Sequence, residues 1–306
     1  MRYSLQEIET FLTVMELGTV TAASARLNVA KSVVSKRITD FETAIGAALF
    51  RRSAGRITPT EAAERLAERL RPALSNLTAA TESAAWGMDG NTSLQGSLSI
   101  AAPMSFGLMY LTPVITAFAD AHPALDIRVD YDDRRHDLLR EGFDVGIRIG
   151  DMVDTSLMQR KLCEVRSLPV ASPGYLEKHG RPKDLADLVN HEVISYTHVS
   201  HAQVWRFGNG SSSVSPKVGG RLHINNGEAI RDLAMAGMGL AMLPEFIVAD
   251  AARTGALVPV LEDYETREFA ISAVWPPISP MPAKLRKFVD HLVDALKDGR
   301  PWRQNG

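Results

Sequence analysis

Residues 19–66, TVTAASARLNVAKSVVSKRITDFETAIGAALFRRSAGRITPTEAAERL, contain the pattern that decides the fold of the N-terminal part of the chain. An alanine-rich helix over 22–27 is followed by a turn at 28–29 and by a second predicted helix over 31–45, which Gly46 ends. An amphipathic helix is predicted upstream from the three- and four-residue spacing of Leu5, Ile8, Leu12 and Met15. Short helices joined by a tight turn are typical of a helix-turn-helix.

The outer face of the predicted helix 31–45 carries small polar and cationic residues, which suit the major groove of DNA. Cationic side chains can neutralise phosphates, serine is short enough to let a helix enter the groove, and an exposed valine can contact a thymine methyl. The predicted DNA-binding residues of the two helices are Thr21, Lys31, Ser32, Val33, Ser35, Lys36 and Arg37. The pattern alone leaves an alternative open, because an ordinary three-helix bundle also has a solvated face of charged residues.

The distribution of charge along the chain favours the DNA-binding interpretation. The 306 residues carry a formal net charge of −2, which argues against a wholly basic nucleic-acid coat protein. Between Arg26 and Arg56, however, seven basic residues accompany only two acidic ones, so this segment carries +5 and the remainder −7. A basic segment in an otherwise acidic chain is typical of a surface that faces phosphates.

Residues 49–60 are expected to form a two-stranded wing with Gly55 at its tip, and the cations that could reach the DNA backbone are Arg51, Arg52 and Arg56. A long helix is predicted from Pro59 to about Trp86, a length of roughly 40 Å. Its narrow apolar seam resembles that of a coiled coil and contains Leu66, Leu70, Ala73, Leu74 and Leu77. Such a seam predicts a second copy of the chain as partner, although the helix could instead pack against its own N-terminal helices.

Beyond a polar hinge at 89–93 the periodicity changes to alternating strands and helices, which predicts an α/β architecture with a mostly parallel sheet. A first group of strands is expected around 98–100, 125–131 and 145–149. A second group of elements comprises strands near 165–171, 193–197 and 220–224 and helices near 173–179, 226–236 and 244–254. A strand at 269–275 and an apolar helical pattern from Leu285 to Leu296 complete the chain.

The N-terminal stretch resembles the winged helix-turn-helix and linker helix of LysR-type transcriptional regulators. The matching elements are Ala22-Ala23, Leu27, Ser32, Val34-Ser35, Ile38, Glu42, Gly46, Leu49-Phe50, Arg52 and the run TPTEA. Ser24, Phe41 and Ala63 depart conservatively from the usual Ala, Leu and Gly. Ala30 and Lys31 replace a common Ser-Gln pair where the second helix begins, a difference expected to alter which bases are read.

Residues 94–297 resemble the effector-binding domain of the same family, which is related to periplasmic solute-binding proteins. The family-like stretches include GSLSIAAPMSFG, DLLREGFDVGIRIGD and AGMGLAMLPEF. The resemblance therefore implies an α/β multidomain chain: a winged helix-turn-helix with a long linker helix, then a bilobed α/β effector domain like the type 2 periplasmic binding proteins. The implied boundaries are 1–58 for the DNA-binding domain, 59–88 for the linker helix, 89–93 for the hinge and 94–300 for the effector domain, with subdomain I at 94–166 and 268–300 and subdomain II at 169–263.

The resemblance also implies a transcription factor whose small-molecule effector binds in the cleft between the two subdomains. Physical chemistry agrees with that placement, because α/β sheets bind ligands beyond the carboxyl ends of their strands, where helix N-termini offer free N–H groups. The candidate effector-binding residues are Ser105, Phe106, Arg148, Tyr196, Thr197 and Asn226. Each also has a purely structural interpretation: Ser105 and Asn226 as helix caps, Arg148 as a partner of Asp151, and Tyr196 as a core residue.

The expected partners are double-stranded DNA with two-fold-related half-sites, a small-molecule effector, a second copy in a dimer or tetramer, and RNA polymerase. Cys163 is the only cysteine, which excludes an intramolecular disulfide and a zinc site with paired cysteines. No apolar leader is visible at the N-terminus, and the apolar stretches end well short of the ~20 residues that a membrane span needs. We therefore expect a cytoplasmic protein with no membrane partner, no metal and no cofactor.

The competing interpretation is an enzyme or a small-molecule-binding module that uses the α/β region, with the N-terminal helices serving only oligomerisation. An enzyme would need a cluster of acids, bases or metal ligands, and the sequence shows no such cluster and no catalytic motif. A solute receptor would have no use for the basic segment within residues 1–60. The sequence therefore predicts a regulator without catalytic residues.

Overall fold

The computed structural model describes residues 3–53, 56–86, 94–150, 156–197, 205–208, 213–297 and 302. It divides into two compact units. The first comprises Met1–Leu94, His136–Asp144 and Pro276–Arg286. The second comprises Gln95–Arg135, Val145–Trp275 and Lys287–Gly306.

Three helices begin the first unit: α1 (Leu5–Leu17), α2 (Val20–Arg26) and α3 (Lys31–Ile45). The start of α1 is fixed by a capping box, in which the Ser4 hydroxyl accepts from the Glu7 N–H and the Glu7 carboxylate accepts from the Ser4 N–H. Thr19 is the N-cap residue of α2, and its hydroxyl accepts a hydrogen bond from Ala22 N at 3.1 Å. The predicted helices are therefore present, and α3 ends at the predicted Gly46.

The first unit has one apolar core, to which all of its N-terminal elements contribute. Phe11, Val34, Ile38, Phe41 and Leu49 are at most 1% exposed. Burying side chains of this size stabilises a fold by roughly 1.5–3 kcal/mol each. The Glu42 carboxylate adds a polar connection, since its Oε1 accepts from the N–H groups of Leu49 at 2.7 Å and Phe50 at 3.0 Å.

The predicted wing is an antiparallel pair, β1 (Phe50–Ser53) and β2 (Arg56–Pro59). The long helix α4 (Glu61–Trp86) follows and ends at the predicted residue. Its predicted start at Pro59 is wrong, because Pro59 is the last residue of β2. The hydroxyl of Thr60 accepts from Ala63 N at 3.2 Å and so begins the helix after the wing.

The seam of α4 has two different environments. Its first part packs on the core of α1–α3: Ala63 and Ala67 are buried there, and partly buried leucines pack beside them, namely Leu66, Leu70 and Leu74. Further along, Leu77 is 48% exposed. The interpretation in which α4 packs against its own N-terminal helices is therefore correct for the first part of the seam.

The remaining elements alternate as the sequence predicts. In chain order they are β3 (Gly96–Ala102), α5 (Met104–Phe106), a π-helical segment (Gly107–Leu111), α6 (Thr112–Ala121), β4 (Leu125–Tyr131), α7 (Leu138–Glu141), β5 (Val145–Ile149), β6 (Met158–Ala171), α8 (Pro173–His179), a 3-10 segment (Leu185–Asn190), β7 (Glu192–Tyr196), β8 (Gly219–Ile224), α9 (Gly227–Met235), β9 (Ala241–Pro244), α10 (Glu245–Arg253), β10 (Val258–Pro259), β11 (Glu268–Trp275) and α11 (Ala283–Leu296). Of these, α7 and the first residues of α11 belong to the first unit.

The main sheet has the strand order β10-β6-β11-β5-β3-β4, with β9 also paired to β6. β3 runs parallel to β4 and β5, and β7 runs parallel to β8. The expectation of a mostly parallel sheet is wrong for β6, β9, β10 and β11, which pair antiparallel. The long strands β6 and β11 run in opposite directions, and each lies outside the simple strand–helix–strand repeat on which that expectation was based.

The strand β6 joins two parts of the sheet. Up to Arg166 it pairs with β11, and from Ser167 onward it pairs with β9 and β10. We call β3, β4, β5, β11 and the first part of β6 the first lobe, together with the helical segments between β3 and β4. The second lobe comprises β7–β10 and the rest of β6, together with α8, α9 and α10. Cys163 lies on β6 and is buried.

The helical stretch Met104–Ala121 is long and apolar enough, by length and composition only, for a helix that crosses a membrane. It connects the parallel strands β3 and β4 and buries Phe106, Leu111 and Phe118. A crossover helix of an α/β unit accounts for both features. The prediction that the apolar stretches end well short of a spanning length is wrong for this one.

Candidate functional site

The outer face of α3 presents most of the predicted DNA-binding residues to solvent. Lys31, Ser32, Val33 and Lys36 are exposed, and Ser35 is half-buried. Ser32, Ser35 and Lys36 share one side of the helix, because they are three and four residues apart. Thr21 is exposed on the neighbouring helix α2. The structure therefore places these side chains where a DNA groove could reach them.

Lys36 and Arg37 are adjacent in sequence but have different surroundings. The side chain of Lys36 is 79% exposed, and its only described ion pair is with Asp40 one turn later, at 3.2 Å. Arg37 is half-buried, and its guanidinium binds helix α1: Nη2 donates to Gln6 Oε1 at 2.7 Å, and Nη1 donates to Thr10 Oγ1 at 3.4 Å. These contacts distinguish the two predicted DNA-binding cations, because Lys36 extends into solvent whereas Arg37 binds another helix.

The wing contributes one described cation. Arg51 is exposed on β1, and its carbonyl accepts from the Thr58 hydroxyl at 3.4 Å on the facing strand. Arg52 and Arg56 are placed in β1 and β2, but their side chains lie outside the described part of the structure, as does Gly55.

In the second unit, two of the predicted effector-binding residues meet at one carboxylate. Ser105, which is 4% exposed, donates from Oγ to Glu228 Oε2 at 2.5 Å. Asn226 caps α9 by accepting from Ala229 N at 2.9 Å, and its Nδ2 donates to the same Glu228 oxygen at 3.0 Å. Because Ser105 follows β3 and Glu228 lies in α9, this cluster joins the first lobe to the second.

Gly227 permits this close approach. A Cβ atom at this position would lie 2.4 Å from Ile247 Cδ1 and 3.4 Å from Ser105 Oγ. The absence of a side chain therefore lets the first turn of α9 approach both α5 and α10.

A second carboxylate lies beside this cluster. Asp133 follows β4 and accepts from Met104 N at 2.8 Å. It also accepts a hydrogen bond from the Tyr196 hydroxyl. Burial, and then the charges of Asp133 and Glu228, raise the pKa of Tyr196 far above its usual value of 10.0, so the hydroxyl keeps its proton. We call Ser105, Asp133, Tyr196, Asn226 and Glu228 the cleft cluster.

The other predicted effector-binding residues are not brought into this cluster by the described contacts. Thr197 donates its backbone N–H to Ile224 O at 2.8 Å, and its side chain is exposed. Arg148 is half-buried on β5 opposite Ser272 of β11. Its predicted partner Asp151 lies outside the described residues. Phe106 has no exposed surface.

Phe106 instead belongs to an aromatic cluster with Tyr110, Phe246 and Trp302. The ring centroid of Trp302 lies 5.5 Å from that of Tyr110 and 5.6 Å from that of Phe246. The indole Nε1 donates to Glu245 Oε2 at 3.2 Å, and Arg166 Nη2 donates to the other Glu245 oxygen at 2.9 Å. Trp302 therefore packs between residues of both lobes, close to the point where β6 changes partners.

Sequence reasoning missed Glu228, Asp133 and Trp302. Glu228 could have been found as an acid two residues after the capping residue Asn226, where it can reach back over the start of the helix. Asp133 lies two residues after a parallel strand, close to the strand ends where ligand sites in α/β sheets gather. No periodic signal marks Trp302, because it lies in the short segment after the last helix.

Comparison with known proteins identifies the family. Residues 5–64 match the family model of the bacterial regulatory helix-turn-helix protein, lysR family, and residues 91–297 match the LysR substrate binding domain. The chain belongs to the LysR family of transcriptional regulators. Its winged helix-turn-helix and α/β effector-binding domain are those of a DNA-binding regulator, so the competing interpretation as an enzyme or a simple binding module is wrong.

Relatives of this LysR-family chain are similar over almost its whole length. A helix-turn-helix-type transcriptional regulator of Haemophilus influenzae, itself uncharacterised, is 33% identical over 92% of this chain and 96% of its own length. The regulator PtxR of Pseudomonas aeruginosa is 31% identical over 96% of this chain and 93% of its own. The full-length structure of AphB, a Vibrio cholerae virulence activator, has a TM-score of 0.59 at 26% identity, covering 96% of this chain and 99% of its own.

Proposed function

We propose that two copies of this LysR-family regulator bind a two-fold-related DNA site and that a small metabolite in the cleft alters promoter binding or contact with RNA polymerase. The single observation that carries the DNA-binding part is the exposed face of α3, where Lys31, Ser32, Val33 and Lys36 are all accessible. On the proposed surface, the phosphate contacts come from the cations and the base contacts from the short side chains.

The proposed DNA-binding surface comprises Thr21, Lys31, Ser32, Val33, Ser35 and Lys36 with Arg51 of the wing. Arg52 and Arg56 are further proposed contacts because they lie on the two strands of the wing. Helix α4 is the proposed contact with a second copy, since Leu77 is exposed after the part of the seam that its own helices cover. A dimer is the smallest assembly that reads two half-sites, and a tetramer could be built from two such dimers.

The proposed domain organisation keeps the hinge at 89–93, which lies outside the described residues, and the effector domain at 94–300, but it moves the end of the DNA-binding domain from residue 58 to Thr60, because β2 includes Pro59 and the linker helix begins at Glu61. What supports the division of the effector domain is the change of partner along β6, between Arg166 and Ser167. Because a DNA-binding regulator acts where the chromosome is, we propose that it works in the cytoplasm, without a membrane partner.

The proposed effector site is the cleft cluster. Ser105, Asn226 and Tyr196 are supported by their convergence with Glu228 and Asp133 from both lobes. Arg148 and Thr197 stay as proposed neighbours of the site. Phe106 is proposed to act from beneath it, because its side chain has no exposed surface through which to touch a ligand.

Selection of genomic fragments by the purified full-length chain tests the DNA-binding part. We expect sequencing of the bound fragments to yield one enriched site with two inverted half-sites, separated by about one helical turn of the duplex or a multiple of it. The control is the double variant Lys31→Ala, Lys36→Ala, which should not enrich that site. Failure of the unaltered chain to enrich any sequence above the control would refute the proposal.

Thermal unfolding in the presence of a panel of metabolites tests the effector part. A compound that binds the folded cleft stabilises it by mass action, by about 2.7 kcal/mol at 100 times the dissociation constant. Asn226→Ala should abolish the shift produced by the active compound, whereas the exposed control Lys178→Ala should not. A compound that stabilises the chain equally with and without Asn226 would place the effector elsewhere.

A further inference from the structure

The guanidinium of Arg37 makes two hydrogen bonds that join α3 to α1. Its two terminal nitrogens donate to different residues of α1, Gln6 and Thr10, at 2.7 Å and 3.4 Å. Gln6 precedes Arg37 by 31 residues, so this contact is tertiary and not a neighbour effect along one helix. Hydrogen bonds that involve a charged group and two donors of a planar fork are stronger and more directional than single neutral ones.

The acceptors of Arg37 are themselves held in place. Thr10 has no exposed surface, and its hydroxyl donates to the Gln6 carbonyl at 2.6 Å. The capping box at Ser4 fixes the start of the same helix, and Phe11 fixes its inner side in the core. A side chain that binds Gln6 and Thr10 is therefore held in a fixed position relative to the rigid helix α1.

Lys36 has no comparable described contact with another element. Its described ion pair is with Asp40 of its own helix, and both side chains are well exposed. Exposed pairs of this kind contribute little to stability and exchange readily for another anion. Lys36 is therefore the cation of the pair that can exchange its partner for a phosphate.

We infer that Arg37 is a positioning residue for DNA recognition: with Gln6 and Thr10 it sets the orientation of α3 on α1, while Lys36 supplies the phosphate contact. The inference rests on the proposed DNA-binding function of the α3 face. A small rotation of α3 would move Ser32 and Val33 relative to the base edges, because both lie on the face opposite to the core. Loss of the connection should therefore reduce discrimination between sequences more than it reduces attraction to DNA.

Two substitutions remove the connection without changing the charge of the proposed surface. Gln6→Ala deletes the main acceptor, and Arg37→Lys keeps the positive charge but cannot bind both acceptors in the geometry of the planar fork. Gln6 is exposed, so its replacement leaves the core intact. Gln6→Glu restores an acceptor, Lys36→Ala removes the proposed phosphate contact, and Gln95→Ala is a matched control at an exposed glutamine outside α1–α4.

The experiment is fluorescence anisotropy of the full-length chain with the genomic site selected above and with an unrelated duplex, over a series of salt concentrations. For Gln6→Ala and Arg37→Lys we expect about tenfold weaker binding to the selected site, unchanged binding to the unrelated duplex and an unchanged salt slope. For Lys36→Ala we expect weaker binding to both duplexes and a salt slope reduced by about 0.9 for each phosphate that the variant no longer neutralises. Gln6→Glu and Gln95→Ala should keep the specificity of the unaltered chain.

The double variant Gln6→Ala, Arg37→Lys should be no worse than the more severe single variant, because both changes break one connection. Unchanged specificity in both single variants would overturn the inference. A reduced salt slope in Arg37→Lys would also overturn it, because the guanidinium would then itself be contacting a phosphate. If the unaltered chain shows neither a preferred site nor salt-dependent binding, the proposed function itself has failed, and circular dichroism of each variant separates these outcomes from unfolding.

Discussion

The α3 face and the cleft cluster differ in how their polar groups are satisfied. On α3 the side chains of Lys31 and Lys36 are exposed to solvent. The range over which their charges attract an anion becomes shorter as the salt concentration rises. In the cleft cluster, Glu228 and Asp133 are bound by donors from elements far apart in the chain, Ser105 and Glu228 being separated by 123 residues. A ligand of the α3 face therefore has to displace water, counterions and the exposed ion pair of Lys36 with Asp40. A ligand of the cleft has to replace hydrogen bonds that the protein already makes with itself.

The largest effect should follow from removing charge at the α3 face. When both chains of the proposed dimer carry Lys31→Ala and Lys36→Ala, we expect the affinity for the selected site at low salt to fall about 100-fold or more. The slope of binding against salt should fall by about 0.9 for each phosphate left without its cation. The melting temperature should stay within a degree or two, since neither side chain is buried. A clear loss of thermal stability would show that the face also has a structural role.

Substitutions in the cleft cluster should instead change the free energy of unfolding. Glu228→Ala leaves the buried Ser105 hydroxyl without its acceptor, a change that costs about 1–3 kcal/mol in comparable cases. Glu228→Gln keeps an acceptor and should recover most of this loss. Urea unfolding with an unchanged slope would measure the difference. Equal stability of the alanine and glutamine variants would contradict the role given to this carboxylate.

The close approach at Gly227 should give an effect of at most the same size, since the atom that an added Cβ would meet is the end of the Ile247 side chain, which can shift away. Gly227→Ala places a methyl group against the end of the Ile247 side chain, and overpacking of this kind costs roughly 1–3 kcal/mol before relaxation. The double variant Gly227→Ala, Ile247→Val should be more stable than the sum of the two single changes predicts. The reason is that valine lacks the Cδ1 atom that the added methyl group would contact. Simple additivity in unfolding experiments would show that the two positions do not touch.

The smallest effect concerns the Tyr196 proton. Its pKa is raised in the folded chain, so the contribution that depends on the neutral hydroxyl is complete below pH 10. As the pH rises through the unfolded value of 10.0, the unfolded chain ionises first and this contribution is lost. We therefore expect the stability of the unaltered chain to fall more steeply between about pH 9.5 and 11 than that of Tyr196→Phe. Parallel pH profiles would contradict the raised pKa of Tyr196 and hence its burial beside Asp133 and Glu228.

The two regions also differ in how far the sequence alone predicts them. The spacing of Val34, Ile38 and Phe41 and the turn residue Gly46 predict α3 and its exposed face, because every relevant position lies within a few helical turns. The sequence did not reveal that Arg37 binds Gln6, since a cation on a helix looks the same whether its acceptor is water or another element. The start of α4 was misplaced for a similar reason, because both Pro59 and Thr60 can begin a helix.

In the cleft, the strands and helices were predictable, but the side-chain contacts were not. Ser105 and Asn226 were found because strand ends and helix starts are local features of the sequence. Their meeting at Glu228 depends on how β6 and β11 connect the lobes, and the alternation of strands and helices carries no information about that. Phe106 illustrates the limit, because its position after β3 predicted a ligand contact, whereas Tyr110 and Phe246 enclose it.

Trp302 gives the effector-binding domain a built-in optical reporter. Its indole is 6% exposed and lies between Tyr110 of one lobe and Phe246 of the other, with its N–H bound to Glu245. The fluorescence of an indole that is shielded from water lies at shorter wavelength, and contact with water shifts the emission to longer wavelength. The difference spectrum between the unaltered chain and Trp302→Phe will therefore follow the separation of the lobes directly, with no label attached and before the effector has a name.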